Sequence, residues 1–238
     1  MLPVIEAHRG DSTNAPENTL AAFRAAVDLQ VLWIELDIHP TRDGALVVIH
    51  DDRVDRTTNG SGAVSGLTLD EMARLDAGSW FGVQFAGEPV PQLADVLALV
   101  APTDTRLNIE IKAAPPGLDV ARALVDLLRA YDKERAYVVS SFDLPALLKV
   151  QAIAPEITLA LIGNGPDILP PTQDHGLAWI HGYHKTVDAA IVAEAHAAGK
   201  RVNVWTVDDP ATLASWAAMA VDKLCTNCPA AMLAAAER

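Results

Sequence analysis

The sequence predicts a TIM-type (β/α)8 barrel, an α/β fold in which eight parallel strands alternate with helices. The first observation is that short apolar runs alternate with helical patterns along all 238 residues, which is typical of parallel sheets with right-handed crossovers. The second is that histidines, acids and a lysine follow several of these runs, where barrel enzymes carry their chemistry. Half of the residues are hydrophobic, which suffices for one barrel core.

Eight segments are predicted as barrel strands because each is short, apolar and bounded by turn residues. In chain order they are 4–7, the first arm of a hairpin within 34–51, 106–111, 136–140, 157–162, 178–181, 201–205 and 223–226. Helical spacing of apolar residues predicts the helices between them. These are a helix capped by Asn18 or Thr19, then 93–100, 118–131, 144–154, 187–198, 210–219 and 229–236. The Pro-rich stretch 163–174 is predicted to be irregular.

One segment interrupts this alternation after the second strand. Residues 52–91 contain a turn-rich run at 56–62 and one short helical pattern within 68–75. The segment is too short and too poor in core residues to fold alone. We therefore predict a single barrel domain over residues 1–238, in which 52–91 forms a small insertion subdomain that covers one mouth of the barrel.

Two carboxylates lie on one face of the second strand. Glu35 and Asp37 are two residues apart, so their side chains point to the same side of an extended chain. The turn at Asp43-Gly44 then reverses the chain into the other arm of the hairpin, which ends on His50. Like charges that converge repel each other and lose hydration, which favours a divalent cation between them. The alternative is two surface acids on an exposed strand.

Polar residues also follow other predicted strands. His8 and Arg9 end the first strand, while Glu110 and Lys112 share a face at the end of the third. Trp205 ends a later strand and is a candidate for substrate binding. A structural histidine and a simple Glu–Lys salt bridge are the alternatives, but the recurrence of such residues at strand ends favours an active site.

Composition excludes several classes of partner. The formal net charge is −13, which disfavours nucleic acid and anionic membranes as standing partners but not a small anionic substrate. No signal-peptide pattern or membrane-spanning apolar run is visible, so a cytoplasmic location is expected. Oligomeric state is left open. Cys225 and Cys228 are too few for a disulfide framework or a four-ligand zinc site. Their C-x-x-C spacing is formally redox-like, but no thioredoxin-like unit surrounds it, so they are interpreted as packing or loop residues.

A set of short motifs, in this order and spacing, resembles the glycerophosphodiester phosphodiesterase family over nearly the whole chain. The motifs are His8-Arg9-Gly10, Pro16-Glu17-Asn18-Thr19, Glu35-Leu36-Asp37, Thr41-Arg42-Asp43-Gly44, His50-Asp51, Arg56-Thr57-Thr58, Val90-Pro91-Gln92-Leu93, Glu110-Ile111-Lys112 and Val204-Trp205-Thr206-Val207. One departure is visible, because the family's usual Thr-Asp-x-Pro stands here as Thr226-Asn227-Cys228-Pro229. We expect this change to alter a loop or its hydrogen bonds more than the chemistry.

The resemblance implies a barrel with an insertion after its second strand and metal-dependent hydrolysis of glycerophosphodiesters to glycerol 3-phosphate and an alcohol. It implies three groups of site residues: Glu35, Asp37 and Glu110 as ligands of Mg²⁺ or Ca²⁺, His8 and His50 as general acid and base, and Arg9 and Lys112 as phosphate contacts. These roles agree with the chemistry, because a phosphodiester needs its charge screened, a nucleophile activated and its leaving oxygen protonated.

Other readings remain open. A metal-independent, phosphoinositide-type phospholipase is also a barrel with two histidines, but the three acids favour a metal. A lysophospholipase D-like or sphingomyelinase D-like enzyme would act on lipid head groups instead. A non-catalytic phosphate-binding barrel is the non-enzymatic alternative, against which the retention of both histidines and all three acids argues. Because no Ser or Cys follows His8 or His50 at a strand end in the pattern that a covalent enzyme shows, the attacking oxygen is expected from a substrate hydroxyl or from water.

Overall fold

The computed structural model describes residues 1–112, 117–131 and 137–237. Within these ranges the chain forms a closed barrel of eight parallel strands, with one additional strand paired antiparallel to the second. The nine strands are β1 (Val4–His8), β2 (Trp33–Pro40), β3 (Leu46–Val48), β4 (Arg106–Ile111), β5 (Val138–Ser141), β6 (Thr158–Gly163), β7 (Trp179–Tyr183), β8 (Arg201–Trp205) and β9 (Lys223–Thr226). The barrel closes where β1 pairs with both β2 and β9. The predicted fold class is confirmed.

Helices connect the strands and cover the outside of the barrel. They are α1 (Leu20–Asp28), α2 (Leu69–Met72), α3 (Leu93–Val100), α4 (Val120–Tyr131), α5 (Leu144–Ile153), α6 (Leu169–Asp174), α7 (Ala189–Ala197), α8 (Leu213–Ala218) and α9 (Pro229–Ala236). Thr19 caps α1 by accepting a hydrogen bond from the Ala22 N–H, as predicted for one of the two candidate residues. The apolar faces of the helices and the outward faces of the strands form one continuous core.

The hairpin of β2 and β3 follows the predicted alternation. Gly44 has φ +85° in the turn, a conformation that glycine adopts without steric cost. The Thr41 side chain accepts a hydrogen bond from the Ala45 N–H and donates one to Asp43 Oδ1, which stabilises the reversal. Leu36 and Ile38 point into the outer core, so Glu35 and Asp37 face the barrel interior.

The segment 52–91 packs around a second, smaller hydrophobic cluster. Its core residues are Val47, Ile49, Val54, Val64, Met72, Ala77 and Val90. The segment 52–91 contains one α-helix, α2, and single 3₁₀ turns at Val64–Gly66 and Val83–Phe85. Two contacts join the segment to the loop and helix after β1: Arg56 pairs with Glu17, and Glu88 accepts a hydrogen bond from the Ala21 N–H.

Two stretches differ from the prediction. Residues 163–174 were predicted irregular, but a 3₁₀ turn at Pro166–Ile168 leads directly into α6. The prolines cause no disruption because they lie in first turns, where the missing N–H would have no helical partner. The predicted strand 136–140 is observed as Val138–Ser141, and position 136 lies outside the described residues. Within the described parts of the chain, no helix is both long and apolar enough to cross a bilayer.

Candidate active site

Three buried carboxylates meet at the carboxyl end of the barrel. Glu35 and Asp37 extend inward from β2, and Glu110 extends from β4, where it is the register partner of Asp37. One oxygen of each residue lies within 4.8 Å of the others. All three residues are less than a tenth exposed. The strand period of two and the parallel register of β2 with β4 therefore bring together acids that are far apart in sequence.

Two cationic side chains lie against this cluster. Arg9 Nε is 3.2 Å from Asp37 Oδ2. Lys112 Nζ is 2.9 Å from Asp37 Oδ1 and 2.6 Å from Glu110 Oε1. Asp37 therefore has a positive charge on each side, while no Lys or Arg side chain among the described residues forms an ion pair with Glu35. The Arg9 and Lys112 side chains are both mostly buried, so solvent screens their charges only weakly.

The pKa values of the three acids differ because of these neighbours. Burial raises the pKa of Glu35 well above its usual range, and the charges of Asp37 and Glu110 add to this effect. Burial and the charge of Asp37 likewise raise the pKa of Glu110, to about 7. Burial also opposes ionisation of Asp37, but Arg9 and Lys112 outweigh it and hold its pKa well below the usual range. The three acids of the cluster therefore outnumber the two cationic side chains that can neutralise them.

This arrangement fits a hard divalent cation. Three carboxylates within 4.8 Å of one another exceed the two cationic side chains by one group. Burial, and after it the neighbouring carboxylates, raise the pKa of Glu35 and of Glu110, so a further positive charge would favour the ionised form of both acids. Carboxylate oxygens are the ligands that Mg²⁺ and Ca²⁺ prefer. The acids of the described cluster can therefore hold such an ion.

His8 ends β1 and presents one ring nitrogen to the cluster. Its Nδ1 lies 2.6 Å from Asn227 Oδ1. An amide oxygen can only accept, so Nδ1 carries the proton and Nε2 has a free lone pair. Nε2 is 3.9 Å from Glu35 Oε2. Burial, together with the nearby Arg9, lowers the pKa of His8 to about 4, so at neutral pH the ring is uncharged.

His50 follows β3 and approaches the same pocket from its rim. Its Nδ1 donates to Asp51 Oδ1 over 2.7 Å. The Asp51 carboxylate also accepts from Arg56, which pairs in turn with Glu17. Burial lowers the pKa of His50, but its side chain is still about one third exposed (34%). The imidazole is thus oriented by a carboxylate and remains open to solvent.

The two histidines, Glu35, Glu110 and both cations line one cavity of about 170 Å³. Trp205 contributes a wall, with the Phe142 ring edge-on to it at 5.7 Å between centroids. Trp205 is held by its indole N–H, which donates to the His181 carbonyl over 3.0 Å. All eight predicted site residues therefore lie at one end of the barrel.

Sequence reasoning assigned no role in the site to three polar residues that hold its side chains in place. Asn18 Nδ2 donates to Asp37 Oδ2 over 2.7 Å, and its left-handed backbone (φ 56°) is a conformation that asparagine tolerates. Asn227 holds His8, and Asp208 accepts hydrogen bonds from both the backbone and the side-chain N–H of Asn227. Asn18 stands in a quoted motif and so could have been found. Asp208 carries no local signal, because only the fold brings it near His8.

Fold and site together define the class. The (β/α)8 barrel brings three acids, two fixed cations and two imidazoles together at the carboxyl ends of its strands. This arrangement is typical of a barrel enzyme that acts on an anionic substrate. The family model described as the glycerophosphoryl diester phosphodiesterase family matches residues 8–231, and the chain belongs to that family.

Individual relatives agree over nearly the full length. A glycerophosphodiester phosphodiesterase of Caldanaerobacter subterraneus subsp. tengcongensis is 37% identical over 238 residues, covering 98% of this chain and 97% of the relative. One of Bacillus altitudinis is 32% identical, with 94% of each chain covered. Among solved structures, an Oleispira antarctica phosphodiesterase in complex with the product sn-glycerol-3-phosphate aligns with a TM-score of 0.94 at 30% identity, over 100% of this chain and 98% of that one.

Proposed function

We propose that the protein hydrolyses glycerophosphodiesters to glycerol 3-phosphate and an alcohol, with the help of Mg²⁺ or Ca²⁺. The observation that carries this proposal is the convergence of the acid cluster, Arg9, Lys112 and both histidines on one cavity. The product bound by the Oleispira antarctica phosphodiesterase, sn-glycerol-3-phosphate, supports the choice of substrate.

In this proposal, Glu35, Asp37 and Glu110 would hold the divalent cation, which would supply electrostatic screening of the phosphoryl oxygens. Arg9 and Lys112 add fixed positive charge beside the phosphate. Arg9 is itself oriented by Glu17, 2.8 Å from Arg9 Nη1. Cations held this way need no reorganisation as negative charge develops in the transition state.

The histidines move the protons. His8 Nε2 is unprotonated and faces the pocket, so it accepts the proton of the attacking hydroxyl. His50 is assigned as the acid that protonates the leaving alcohol, because the Asp51 carboxylate at 2.7 Å orients the ring and opposes the lowering of its pKa by burial. The two exchange roles when water attacks in the second half of the reaction.

The attacking oxygen is proposed to be the substrate's own hydroxyl, on the carbon next to the phosphoester. Ring closure to a five-membered cyclic phosphate is intramolecular, and effective molarities reach roughly 10⁵ M in well-oriented cases. A substrate in which hydrogen replaces that hydroxyl should bind and compete with the normal substrate but turn over poorly. Normal turnover of the deoxy substrate would favour direct attack by water.

Metal dependence is tested on a panel of glycerophosphodiesters assayed with Mg²⁺, with Ca²⁺ and with excess chelator. Asp37→Asn keeps the volume of the side chain and deletes its charge, so metal affinity and rate should each fall, the rate by about 10²-fold or more. Asp126→Asn is the matched control, because Asp126 is an exposed acid paired with Arg122 on α4. Full turnover in chelator, or equal effects of the two substitutions, would refute the proposal.

A second candidate substrate class is the lysolipids, whose head groups carry the same phosphodiester. The observation in its favour is the exposed Phe142 ring beside Trp205 at the mouth of the cavity, an apolar surface that an acyl chain could contact. The panel decides between the classes by the ratio of kcat/KM for glycerophosphocholine and lysophosphatidylcholine. Phe142→Ser should lower only the lysolipid value if the acyl chain uses this surface.

A further inference from the structure

A second set of metal-ligating atoms lies beside the acid cluster. It consists of His8, Glu35 and Cys225, and one ligand atom of each lies within 4.8 Å of the others. Cys225 is buried on β9, where it is the register partner of Glu6 on β1. Its thiol faces the barrel interior and lines the same cavity as His8 and Glu35. The proposed reaction has no use for this thiol.

We propose that His8 Nε2, Glu35 and Cys225 Sγ form a binding site for a borderline-soft divalent cation such as Zn²⁺, distinct from the all-oxygen set. Nitrogen, sulfur and carboxylate oxygen are the ligands that zinc takes in tetrahedral sites, whereas Mg²⁺ and Ca²⁺ select oxygen alone. Ligands of such a site are roughly 3.4 Å apart. The 3.9 Å between His8 Nε2 and Glu35 Oε2 is close to that separation.

The surroundings of the three ligands favour an ion there. The Asn227 contact fixes the proton of His8 on Nδ1, which is how metal-ligating histidines are oriented by their outer partners. The same cavity is lined by residues whose buried polar atoms have no partner among the described residues: Asn108 Oδ1, Ser140 Oγ, His181 Nε2 and Asn203 Oδ1. Such atoms can hold water, and a water is the usual fourth ligand of a zinc ion with three protein ligands.

Occupation of this site would inhibit the enzyme, and this part of the inference rests on the proposed function. The ion would take the Nε2 lone pair with which His8 accepts a proton, and it would take Glu35 from the oxygen-ligand set. Binding forms the sulfur–metal bond and releases the thiol proton to solvent. No oxidant or reductant is involved. Zinc and the hard cation therefore compete through their shared ligand, Glu35.

Binding is tested without any assay of turnover, by titrating the metal-free protein with Cd²⁺ and recording the ultraviolet thiolate-to-Cd²⁺ charge-transfer band. The wild type and Cys228→Ser should show the band, and Cys225→Ser should not. Cys228 is the matched control because its thiol contacts Thr226 and Asp208 outside the cluster. A band that persists in Cys225→Ser, or is lost only in Cys228→Ser, would overturn the site.

Affinity for Zn²⁺, measured by competition with a chromophoric chelator, should fall by at least about tenfold in Cys225→Ser. His8→Ala keeps the thiol, so it should retain the Cd²⁺ band yet need at least about tenfold more Cd²⁺. This second variant decides the question if the Cys225 variants do not fold. Unchanged Cd²⁺ affinity in His8→Ala would contradict the proposal.

Inhibition is measured as the zinc concentration that halves each variant's own zinc-free rate. Cys225→Ser should require at least about tenfold more zinc than the wild type or Cys228→Ser. If the wild type hydrolyses no diester, the proposed function fails while the Cd²⁺ band still decides the metal site. If turnover is normal and zinc inhibits all three proteins equally, the proposed function stands and the inhibitory site is wrong.

Discussion

Asn227 shows how a single side chain can orient a proposed catalytic group, the His8 imidazole. Its Oδ1 accepts the Nδ1 proton of His8, while its own N–H groups donate to Asp208. The side-chain amide of Asn227 cannot flip without losing its hydrogen bond with His8 and the one that its NH₂ group donates to Asp208. The orientation of His8, and hence the free Nε2 that the proposed reaction uses, depends on residues 208 and 227, which enter from the other end of the chain.

Asn227→Ala should therefore slow turnover with little loss of stability. We expect kcat to fall by roughly 10–100-fold, as when outer partners of an oriented histidine are removed, with KM changed much less. Steady-state kinetics and thermal unfolding measure the two effects. Asn14→Ala is the control, because Asn14 binds Asp11 in the loop after β1 and does not contact His8. Equal kcat losses in both variants would show that the orientation of His8 is unimportant.

His181 links stability to pH. It is buried inside the barrel with Nε2 unpartnered in the described structure, and burial, reinforced by Lys223, lowers its pKa well below 6.5. The folded protein therefore keeps this ring neutral, whereas the unfolded chain takes up a proton below about pH 6.5. The contribution of neutral His181 to stability is fully present above that pH and is lost as the pH falls.

His181→Gln should flatten the acid side of the stability profile. Between pH 6.5 and the lowered folded pKa, the wild type should lose up to about 1.4 kcal/mol per pH unit more than the variant. Urea unfolding of both proteins at pH 7.5, 6, 5.5 and 5 measures the difference between their free energies of unfolding. The contributions of titratable groups that both proteins share cancel in this difference. Parallel profiles would contradict the assignment.

At the scale of elements, the loop between β1 and α1 sets the position of Arg9, the proposed phosphate contact. Arg9 and Gly10 are both left-handed (φ 58° and +84°), and the Arg9 N–H donates to the Glu35 carbonyl and side chain. The backbone of Gly10 lies directly against α1, because a Cβ at this position would be 2.6 Å from the Ala22 carbonyl carbon. This close approach requires glycine at the turn.

Gly10→Ala is expected to destabilise the fold by more than the left-handed conformation alone costs. Gly44→Ala is the matched control: its φ is nearly the same (+85°), but a Cβ there meets nothing within 4 Å. The control should lose about 1–2 kcal/mol, and Gly10→Ala should lose at least about 1 kcal/mol more because Ala22 must shift. The urea midpoints of unfolding of the two variants measure this difference in stability. Equal midpoints would show that α1 shifts away from the added Cβ without a cost in stability.

At the scale of the whole molecule, a buried ion pair crosses the seam at which the barrel closes. Lys223 on β9 pairs with Glu6 on β1, and both side chains are almost fully buried. The Asn203 amide donates to Glu6 over 2.7 Å. Lys223 also lies over the ring of Trp33, 4.3 Å from its centroid. The seam thus depends on polar contacts as well as strand pairing.

Breaking one half of this pair should be more harmful than removing both halves. Lys223→Met leaves Glu6 buried without its cation and should cost about 3–5 kcal/mol. Glu6→Gln combined with Lys223→Met removes both charges and should be more stable than Lys223→Met alone. Free energies of unfolding from denaturant titration measure this double-mutant cycle. Additive effects would show that the two charges do not interact.

The order of elements could be predicted because alternation of apolar strands and amphipathic helices is a local property of the chain. The same local patterns predicted the hairpin, the shared face of Glu35 and Asp37, and the barrel class. The family was predicted from the order and spacing of its motifs. The helical character of residues 169–174 was missed because prolines normally signal irregular chain. The division into a barrel domain and an insertion subdomain at 52–91 stays a prediction, as do the roles of the site residues.

The sequence by itself determined the residue types, their alternation along each strand and the ends at which polar side chains fall, because strand periodicity and turn chemistry are short-range. Only the tertiary structure decided which of these groups meet. Glu110 joins Asp37 through the register of β2 with β4, Asn227 reaches His8 across 219 residues, and Cys225 comes beside Glu35 because β9 closes the barrel against β1. Distances between side chains and the pKa shifts that follow from them depend on barrel closure, which no local pattern encodes.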